Sequence, residues 1–367
     1  MVYNIPNQID LSSFYIVYKG VVVNEKEGTY GISHLIEHLL CKNLDDDFIE
    51  SLERHGITWN AYTTPNNIVL YIKGLDDYVY KFKDEFLTKI TNFQIKPETF
   101  KIERNVILEE YSDLFNYVTK NHFLNLYRKV LNNYNSVGKK DNIEKLTAED
   151  CLNHYSNFYS KPSDIIYISK KYKHENDITF NYTSNKREFK LGNYKCELES
   201  PITSSNKSSI IYLSPIINEN FDKIIFINYL LSGGLKSPLY KAIREKNSLA
   251  YYISCRIDRL DDKGIIIIST ETGDSNVEKL NDVILEVFKK RSYLTKEKFE
   301  IIKDFIKINL IKSDIYLHDN EDKFILPKNW LIEESINSIT YEEIVECFDK
   351  YFNINNFYKS INKIEFS

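Results

Sequence analysis

The two halves of this chain carry the same order of predicted elements, and this repetition restricts its possible folds more than any other feature. Each half begins with a strand that leads into a helix, continues with a pair of strands, and then becomes mainly helical. Such a repeat indicates an internal duplication. Because the paired strands lie close together in sequence, we expect antiparallel neighbours and no parallel βαβ fold. The sequence therefore predicts two α+β domains, each a mainly antiparallel sheet with helices packed on it.

Hydrophobic periodicity and turn residues give the predicted bounds of these elements. In the first half, strands are predicted at residues 14–23, 57–64, 68–75 and 164–169, and helices at 34–41, 77–90, 98–115, 121–131 and 148–159. In the second half, strands are predicted at 209–215, 249–257 and 264–270, and helices at 221–231, 276–290 and 295–313. One more helix is expected to have Ser237 as its cap and Pro238 as its first residue. A polar stretch gives the domain bounds as 1–183, a linker at 184–206, and 207–367.

Charge and composition exclude several classes of protein. The net charge of −5 over 367 residues argues against a nucleic-acid partner. No apolar run is long enough to cross a membrane, and the first residues lack the features of a signal peptide. Five scattered cysteines without a C-x-x-C pair argue against a disulfide framework and against a cysteine-rich zinc site. We therefore expect a cytoplasmic protein.

The pattern H-x-x-E-H occurs once, between Ser33 and Cys41. On a helix, His34, Glu37 and His38 share one face with Cys41, opposite a face of leucine and isoleucine. Two imidazoles one turn apart can bind one zinc ion, with the glutamate beside them. Average composition would produce this pattern by accident in about one chain in a hundred of this size. A polar helix face that happens to contain two histidines therefore stays an alternative until a third ligand is found.

An acidic side chain on another helix would supply that third ligand. Glu103 and Glu110 fall on one stripe of the third predicted helix, together with Val106 and Ile107. A carboxylate on a buried face is costly unless it is paired or binds a metal. Glu109 lies about 100° away around the helix, where solvent is expected. The pattern therefore leaves Glu103 and Glu110 on the face where a third ligand is expected.

Three blocks of sequence together resemble the M16 family of metallopeptidases, which includes insulysin, pitrilysin and the mitochondrial processing peptidase. Residues 31–40 are similar to the zinc helix of the family, and residues 103–110 to its E-R-x-V-I-x-x-E block. Residues 237–251 are similar to its segment S-x-L-[YF]-x-x-[IL]-R-x-x-x-x-L-A-Y. The blocks stand in the family's order, and the length is similar to that of its short, two-domain branch. Ser33 is a departure, because the family usually has alanine there.

The resemblance implies a role for residues of the first two blocks. His34, His38 and Glu110 would bind one zinc ion per chain, and Glu37 would act as the general base. Glu103 would orient a ligand histidine. For Glu103, an ordinary helix-surface acid paired with a lysine or arginine stays open as the alternative.

The resemblance also implies substrate contacts. Arg244 and Tyr251 would contact the substrate carbonyl and the developing oxyanion. Asn60 and Ala61 would belong to an edge strand that pairs with the substrate backbone. Two simpler interpretations stay open, because residues 59–63 also fit an ordinary hairpin strand and Tyr251 is one of 28 tyrosines.

For the whole molecule, the resemblance implies the M16, or LuxS-like, fold, with one chain forming half of a clamshell. The expected activity is zinc-dependent endoproteolysis of short or unfolded polypeptides. A homodimer, or a heterodimer with another M16-like chain, would complete the clamshell, and Arg244 and Tyr251 of one subunit would complete the zinc site of the other. Two alternatives stay open: a non-catalytic M16-like subunit that binds or helps to process peptides, and a zinc hydrolase with substrates other than peptides.

Overall fold

The computed structural model describes residues 2–6, 9–115, 118–129, 131, 135–171, 207–215, 217, 221–260, 263–315 and 335–362. These residues fall into two compact units. The described residues up to 113 and those from 135 to 171 belong to the first unit, and residues 114–131 with those from 207 to 314 belong to the second. The predicted linker, 184–206, lies outside the described residues.

The first unit is built on a five-stranded sheet. Its described strands are β1 (Val2–Pro6), β2 (Ser12–Lys19), β3 (Thr58–Thr63), β4 (Asn67–Gly74) and β5 (Asp164–Ser169). The order is β1-β5-β2-β4-β3, with β1 and β5 parallel and every other pair antiparallel. β3 is therefore an edge strand, hydrogen-bonded within this sheet to β4 alone.

Eight helices follow one another in the described part of the first half. They are α1 (Val21–Asn24), α2 (Ile32–Cys41), α3 (Asp46–Arg54), α4 (Asp76–Thr91), α5 (Pro97–Phe115), α6 (Val118–Lys129), α7 (Lys140–Ile143) and α8 (Ala148–His154), which a π-helical turn at Tyr155–Tyr159 continues. The prediction that the first strand runs to residue 23 is wrong. Gly20 has a φ of +87°, so the chain turns out of β2 there and the next residues form α1.

The second unit is built on a four-stranded antiparallel sheet with the order β7-β8-β6-β9. Its described strands are β6 (Lys207–Leu213), β7 (Ile253–Leu260), β8 (Lys263–Gly273) and β9 (Tyr358–Asn362). Its described helices are α9 (Asp222–Ser232), α10 (Pro238–Tyr240), α11 (Val277–Lys290), α12 (Lys296–Ile315) and α13 (Tyr341–Tyr351), with a π-helical turn at Lys241–Lys246 and 3₁₀ turns at Asp274–Asn276 and Ile354–Asn356. Each unit thus combines one sheet with helices, which confirms the predicted α+β class.

α6 belongs to the second unit although it lies in the first half of the sequence. Its buried His122 has Nδ1 at 2.7 Å from Ser209 Oγ on β6 and Nε2 at 2.7 Å from Ser360 Oγ on β9. The N–H of Thr119 donates to Glu271 of β8 at 3.1 Å. The sequence-based bounds place this helix in the first domain, and these polar contacts with three strands of the second sheet explain the difference.

Each unit has its own apolar core. In the first, an aromatic and aliphatic cluster covers one face of the sheet, built by Tyr3, Ile5, Tyr15, Val17, Val69, Ile166 and Ile168. In the second, a larger cluster joins the sheet to α9, α11 and α13. No helix among the described residues is long and apolar enough to cross a membrane.

Candidate metal centre

The start of α2 is held by a carboxylate that sequence reasoning did not identify. Glu25 is buried, and its two oxygens accept hydrogen bonds from the N–H groups of Gly31 and Ser33, each at 3.0 Å. An acid at this end of a helix satisfies free N–H groups and faces the positive end of the helix dipole. The hydroxyl of Ser33 shares a hydrogen bond with the hydroxyl of Tyr159 at 3.0 Å. Ser33, which stands where the family usually has alanine, therefore makes a hydrogen bond through its hydroxyl.

A close approach of two glycines fixes the loop before α2. Gly31 and Gly138 both have positive φ, +98° and +78°. A Cβ atom added to Gly138 would lie 2.4 Å from the Cα atom of Gly31. Beside this contact, the N–H of Lys139 donates to the carbonyl of Tyr30 at 3.3 Å. Glycine at position 138 thus lets another part of the first unit pack against the N-terminus of α2.

The predicted ligands converge on one point within the first unit. Oε2 of Glu110 lies 3.6 Å from Nε2 of His34, and its Oε1 lies 3.7 Å from Nε2 of His38. The two imidazole rings stand 5.0 Å apart and almost perpendicular, at 86°. In a tetrahedral zinc site the ligand atoms are about 3.3 Å apart, given metal–ligand distances of about 2.0–2.2 Å. The side chains are therefore close to the spacing of a zinc site.

The chemistry of these donors also fits zinc. Burial lowers the pKa of His34 to about 4, and the neighbouring charge of His38 acts in the same direction. His34 is therefore neutral at pH 7, with a ring nitrogen free to bind a metal. Two imidazole nitrogens and one carboxylate form a ligand set that leaves the fourth position of a catalytic zinc ion open.

Glu110 differs from the expectation in its burial. Its side chain is 51% exposed, whereas that of Glu103 is 6% exposed. Ile107 is buried on this stripe, but Val106 is 38% exposed. The argument that Glu110 lies on a buried face is therefore wrong. The helical repeat alone brings it to the histidines, two turns after Glu103.

Glu37 lies beside the ligands and is held at both oxygens. The hydroxyl of Thr63, on β3, donates to Oε2 at 3.3 Å, and the thiol of Cys41 donates to Oε1 at 3.6 Å. Oε2 is also 4.0 Å from Nε2 of His34. Burial raises the pKa of Glu37, while the charge of His38 opposes this shift. His34, Glu37 and His38 form a compact group that could hold a metal ion, with their candidate ligand atoms within 4.8 Å of one another.

Glu103 contacts His38 from the side opposite to the ligand group. Its Oε2 lies 3.1 Å from Nδ1 of His38, and its Oε1 lies 3.3 Å from Nζ of Lys42. A carboxylate in this position can fix the tautomer of a histidine whose other nitrogen binds a metal.

β3 carries the predicted substrate-pairing residues at the free edge of the sheet. Asn60 and Ala61 are opposite Tyr71 and Leu70 of β4. The N–H of Ala61 donates to Oδ1 of Asn60 at 2.9 Å, a contact that does not involve β4. The side chain of Asn60 thus accepts a hydrogen bond from the backbone N–H of Ala61.

Arg244 and Tyr251 belong to the second unit and contact each other. The guanidinium of Arg244 lies 4.3 Å from the ring centre of Tyr251, and its Nη1 donates to the carbonyl of Tyr251 at 3.4 Å. Tyr251 is 78% exposed. The predicted strand at 249–257 begins later than expected, since β7 starts at Ile253 and Tyr251 precedes it.

The predicted cap of α10 is only partly right. Ser237 precedes the helix and Pro238 is its first residue, but the side chain of Ser237 makes no capping hydrogen bond.

Comparison with known proteins found matches in both halves of the chain. The family model described as Insulinase (Peptidase family M16) matches residues 16–139, and the model described as Peptidase M16 inactive domain matches residues 167–305. A relative described as the uncharacterized zinc protease YmxG of Bacillus subtilis is 22% identical over 349 residues, covering 84% of this chain and 82% of that protein.

Solved structures show the same fold. A protease from Helicobacter pylori superimposes with a TM-score of 0.77 at 18% identity, covering 98% of this chain and 96% of that one. The periplasmic protease PqqL from Escherichia coli superimposes with a TM-score of 0.70 at 11% identity, and there the match covers 98% of this chain but 43% of PqqL. Since two models of one family together match most of the chain, this protein belongs to peptidase family M16.

Proposed function

We propose that this protein is a zinc endopeptidase with one zinc ion per chain, bound by His34, His38 and Glu110. The observation that carries the proposal is the convergence of both Nε2 atoms on the Glu110 carboxylate, at 3.6 and 3.7 Å, with Glu37 beside them. Bound zinc would supply a Lewis acid and a water molecule of lowered pKa.

Glu37 is the general base of the proposed reaction. Its carboxylate takes a proton from the attacking water and delivers it to the leaving amine. The hydrogen bonds from Thr63 and Cys41 hold both oxygens of Glu37, so the carboxylate meets the reacting water in a fixed orientation. Glu103 accepts a hydrogen bond from Nδ1 of His38, which leaves Nε2 free to face the metal.

The proposed substrates are short or unfolded polypeptides. β3 offers a free edge to an extended chain, and pairing through the backbone is largely independent of side chains. For the substrate to pair at Ala61, the side chain of Asn60 has to release the N–H that it now holds. Only a segment without its own secondary structure can add to the edge in this way.

The proposed assembly is a homodimer, with a heterodimer of two M16-like chains as the variant. One copy of this chain matches less than half of PqqL, so two copies correspond in length to one such protein. Arg244 and the exposed Tyr251 would serve the zinc site of the partner subunit, as donors to the charge that develops in the transition state. A cytoplasmic location is part of the same proposal.

A non-catalytic peptide-binding subunit is the second candidate. The description of one matching family model as an inactive domain favours it, but that model matches residues 167–305, which do not include the zinc ligands. The first half keeps both histidines, the base and Glu110. A zinc hydrolase with other substrates has no comparable support.

The test measures zinc content and the cleavage of a quenched peptide library. Wild type is expected to bind one zinc per chain and to cut peptides, and to cut a denatured protein faster than its folded form. Glu37→Gln should keep the zinc and lose activity by at least about a hundredfold, since the amide cannot act as a base. Zinc binding without any peptide cleavage would support the non-catalytic candidate, and full activity of Glu37→Gln would contradict the assigned base.

A further inference from the structure

Lys42 closes a ring of contacts around His38. It follows α2 directly, one turn after His38, and its N–H donates to the carbonyl of His38 at 3.3 Å. Its ammonium lies 3.3 Å from Oε1 of Glu103, and Oε2 of the same carboxylate lies 3.1 Å from Nδ1 of His38. His38 is thus held at its backbone by Lys42 and at its ring by Glu103, and Lys42 and Glu103 hold each other.

The charges around the site single out Lys42. Three carboxylates, of Glu37, Glu103 and Glu110, surround the histidines. Within the described part of the chain, Lys42 is the one lysine or arginine in ion-pair contact with any of them. Glu103 is almost completely buried, and a buried carboxylate is stable only with partners. Its two partners in these contacts are the imidazole of His38 and the ammonium of Lys42.

We propose that Lys42 is a positioning residue of the metal centre, which acts through Glu103 on His38. The inference rests on the proposed function in one respect, namely that the ion at these residues is zinc. Lys42 fixes one oxygen of Glu103, so the other oxygen stays directed at Nδ1 of His38 and the imidazole keeps Nε2 toward Glu110. Without the ammonium, the Glu103 carboxylate is free to turn toward solvent, and the ring of His38 loses the acceptor that orients it.

A simpler role for Lys42 would be electrostatic support of α2, since a cation at a helix C-terminus is favourable. That role predicts a less stable protein with or without metal. The proposed role predicts weaker zinc binding in addition to any loss of stability, because removing the Lys42 ammonium takes away one partner of the buried Glu103 carboxylate.

The experiment measures the zinc dissociation constant by competition with a chromophoric chelator, together with the melting temperature of the metal-free protein. The variants are Lys42→Met, Lys42→Arg, Glu103→Gln and the double variant Lys42→Met/Glu103→Gln. Lys140→Met is the matched control, because Lys140 is also ion-paired, with Glu144, and its side chain is 53% exposed against 55% for Lys42.

We expect Glu103→Gln to weaken zinc binding by about 10- to 100-fold, and Lys42→Met by a smaller factor of about 3- to 10-fold. Lys42→Arg should restore binding to within about twofold of wild type, and Lys140→Met should have no effect. The double variant should bind zinc as Glu103→Gln does, since Lys42 acts only through Glu103.

Two results would overturn the inference: a Lys42→Met variant that binds zinc as wild type does, or a double variant whose loss equals the product of the two single losses. A drop in the metal-free melting temperature of Lys42→Met alone, with unchanged zinc affinity, would assign Lys42 to helix support. If wild type itself bound no zinc, the proposed function would fail. That result differs from the two results above, which contradict only the role of Lys42.

Discussion

Glu110 reaches both histidines with a side chain that is half exposed, so its contribution to metal binding can be separated from any contribution to folding. Substitutions at exposed positions usually change the free energy of unfolding by less than about 0.5 kcal/mol. The preceding residue, Glu109, is also exposed and has the same functional group. The pair therefore supplies a test with a built-in control.

Glu110→Ala is expected to lose stoichiometric zinc, because removing a ligand leaves two histidines to hold the ion. Glu109→Ala is expected to keep one zinc per chain. Both variants should melt close to wild type in the metal-free form. Equilibrium dialysis followed by metal analysis gives the zinc content. If Glu110→Ala kept its zinc and Glu109→Ala lost it, the third ligand would be Glu109.

The candidate ligands could be selected from the sequence because their spacing within each helix is local. The four-residue spacing places His34 and His38 on one face of α2. The two turns between Glu103 and Glu110 place these two carboxylates on one face of α5. Contacts of Glu25, Thr63 and Lys42 depend on how separate elements meet. No periodicity in the sequence marks such residues, so they could be found only in the structure.

At the scale of elements, the start of α2 depends on the close approach of Gly138 to Gly31. Gly138→Ala is expected to destabilise the first unit by about 2 kcal/mol or more, because the added Cβ meets backbone atoms and the positive φ is unfavourable for alanine. Gly28→Ala is the matched control, since Gly28 has a φ of +90° but nothing within 4 Å of the added Cβ.

Thermal melting of the two glycine variants measures the difference. Gly28→Ala should show only the smaller cost of its backbone conformation, about 1 kcal/mol. Zinc affinity should fall in Gly138→Ala, because α2 carries both histidines. Equal melting temperatures for the two variants would show that the glycine contact does not constrain α2.

α6 makes the second unit sensitive to acid through His122. Burial lowers the pKa of His122 to about 3, below the value of about 6.5 of an unfolded chain. The folded unit then binds fewer protons than the unfolded one, so stability is complete above pH 6.5 and is lost as the pH falls toward 3. Between pH 7 and 5 the loss amounts to about 2 kcal/mol.

Urea unfolding of wild type and His122→Gln at the two pH values isolates this contribution. The variant is expected to be less stable at pH 7, where the hydrogen bonds to Ser209 and Ser360 are perturbed. Its stability should change less between pH 7 and 5, since glutamine does not titrate. An equal pH dependence in both proteins would exclude His122 as the source.

Elements that form through short-range patterns can be predicted from the sequence, whereas elements that depend on distant pairing cannot. The hairpin β3–β4 and most of the longer helices are short-range features, and the sequence predicts them, but it did not yield α3 and α13 although both are amphipathic. β1 and β9 were missed, since each pairs only with strands far away in sequence, β5 and β6. The docking of α6 on the second sheet was missed for the same reason, because polar residues such as His122 resemble those of a surface helix.

At the scale of the whole molecule, the two units have one architecture but different chemistry. The first carries the three candidate ligands and the base, and the second carries Arg244 in contact with Tyr251. Tyr251 is exposed in a single chain, so its hydroxyl is available to another copy. Closed two-fold pairs are the commonest oligomers, which favours a homodimer as the way to bring the two kinds of residue together.

Mixing two inactive variants tests whether subunits share a site. Glu37→Gln removes the base, and Tyr251→Phe removes the donor to the oxyanion. When the two proteins exchange subunits at equal amounts, half of the dimers contain one chain of each kind. If Tyr251 acts on the zinc site of the partner, each mixed dimer has one site with both residues intact and one site with neither. Activity should rise from near zero to about a quarter of wild type, since half of the dimers regain one of two sites.

Subunit exchange is checked by mass spectrometry with one isotope-labelled variant, and either variant incubated alone is the control. If exchange is complete and activity stays at the level of the parent variants, Tyr251 does not act on the partner's site.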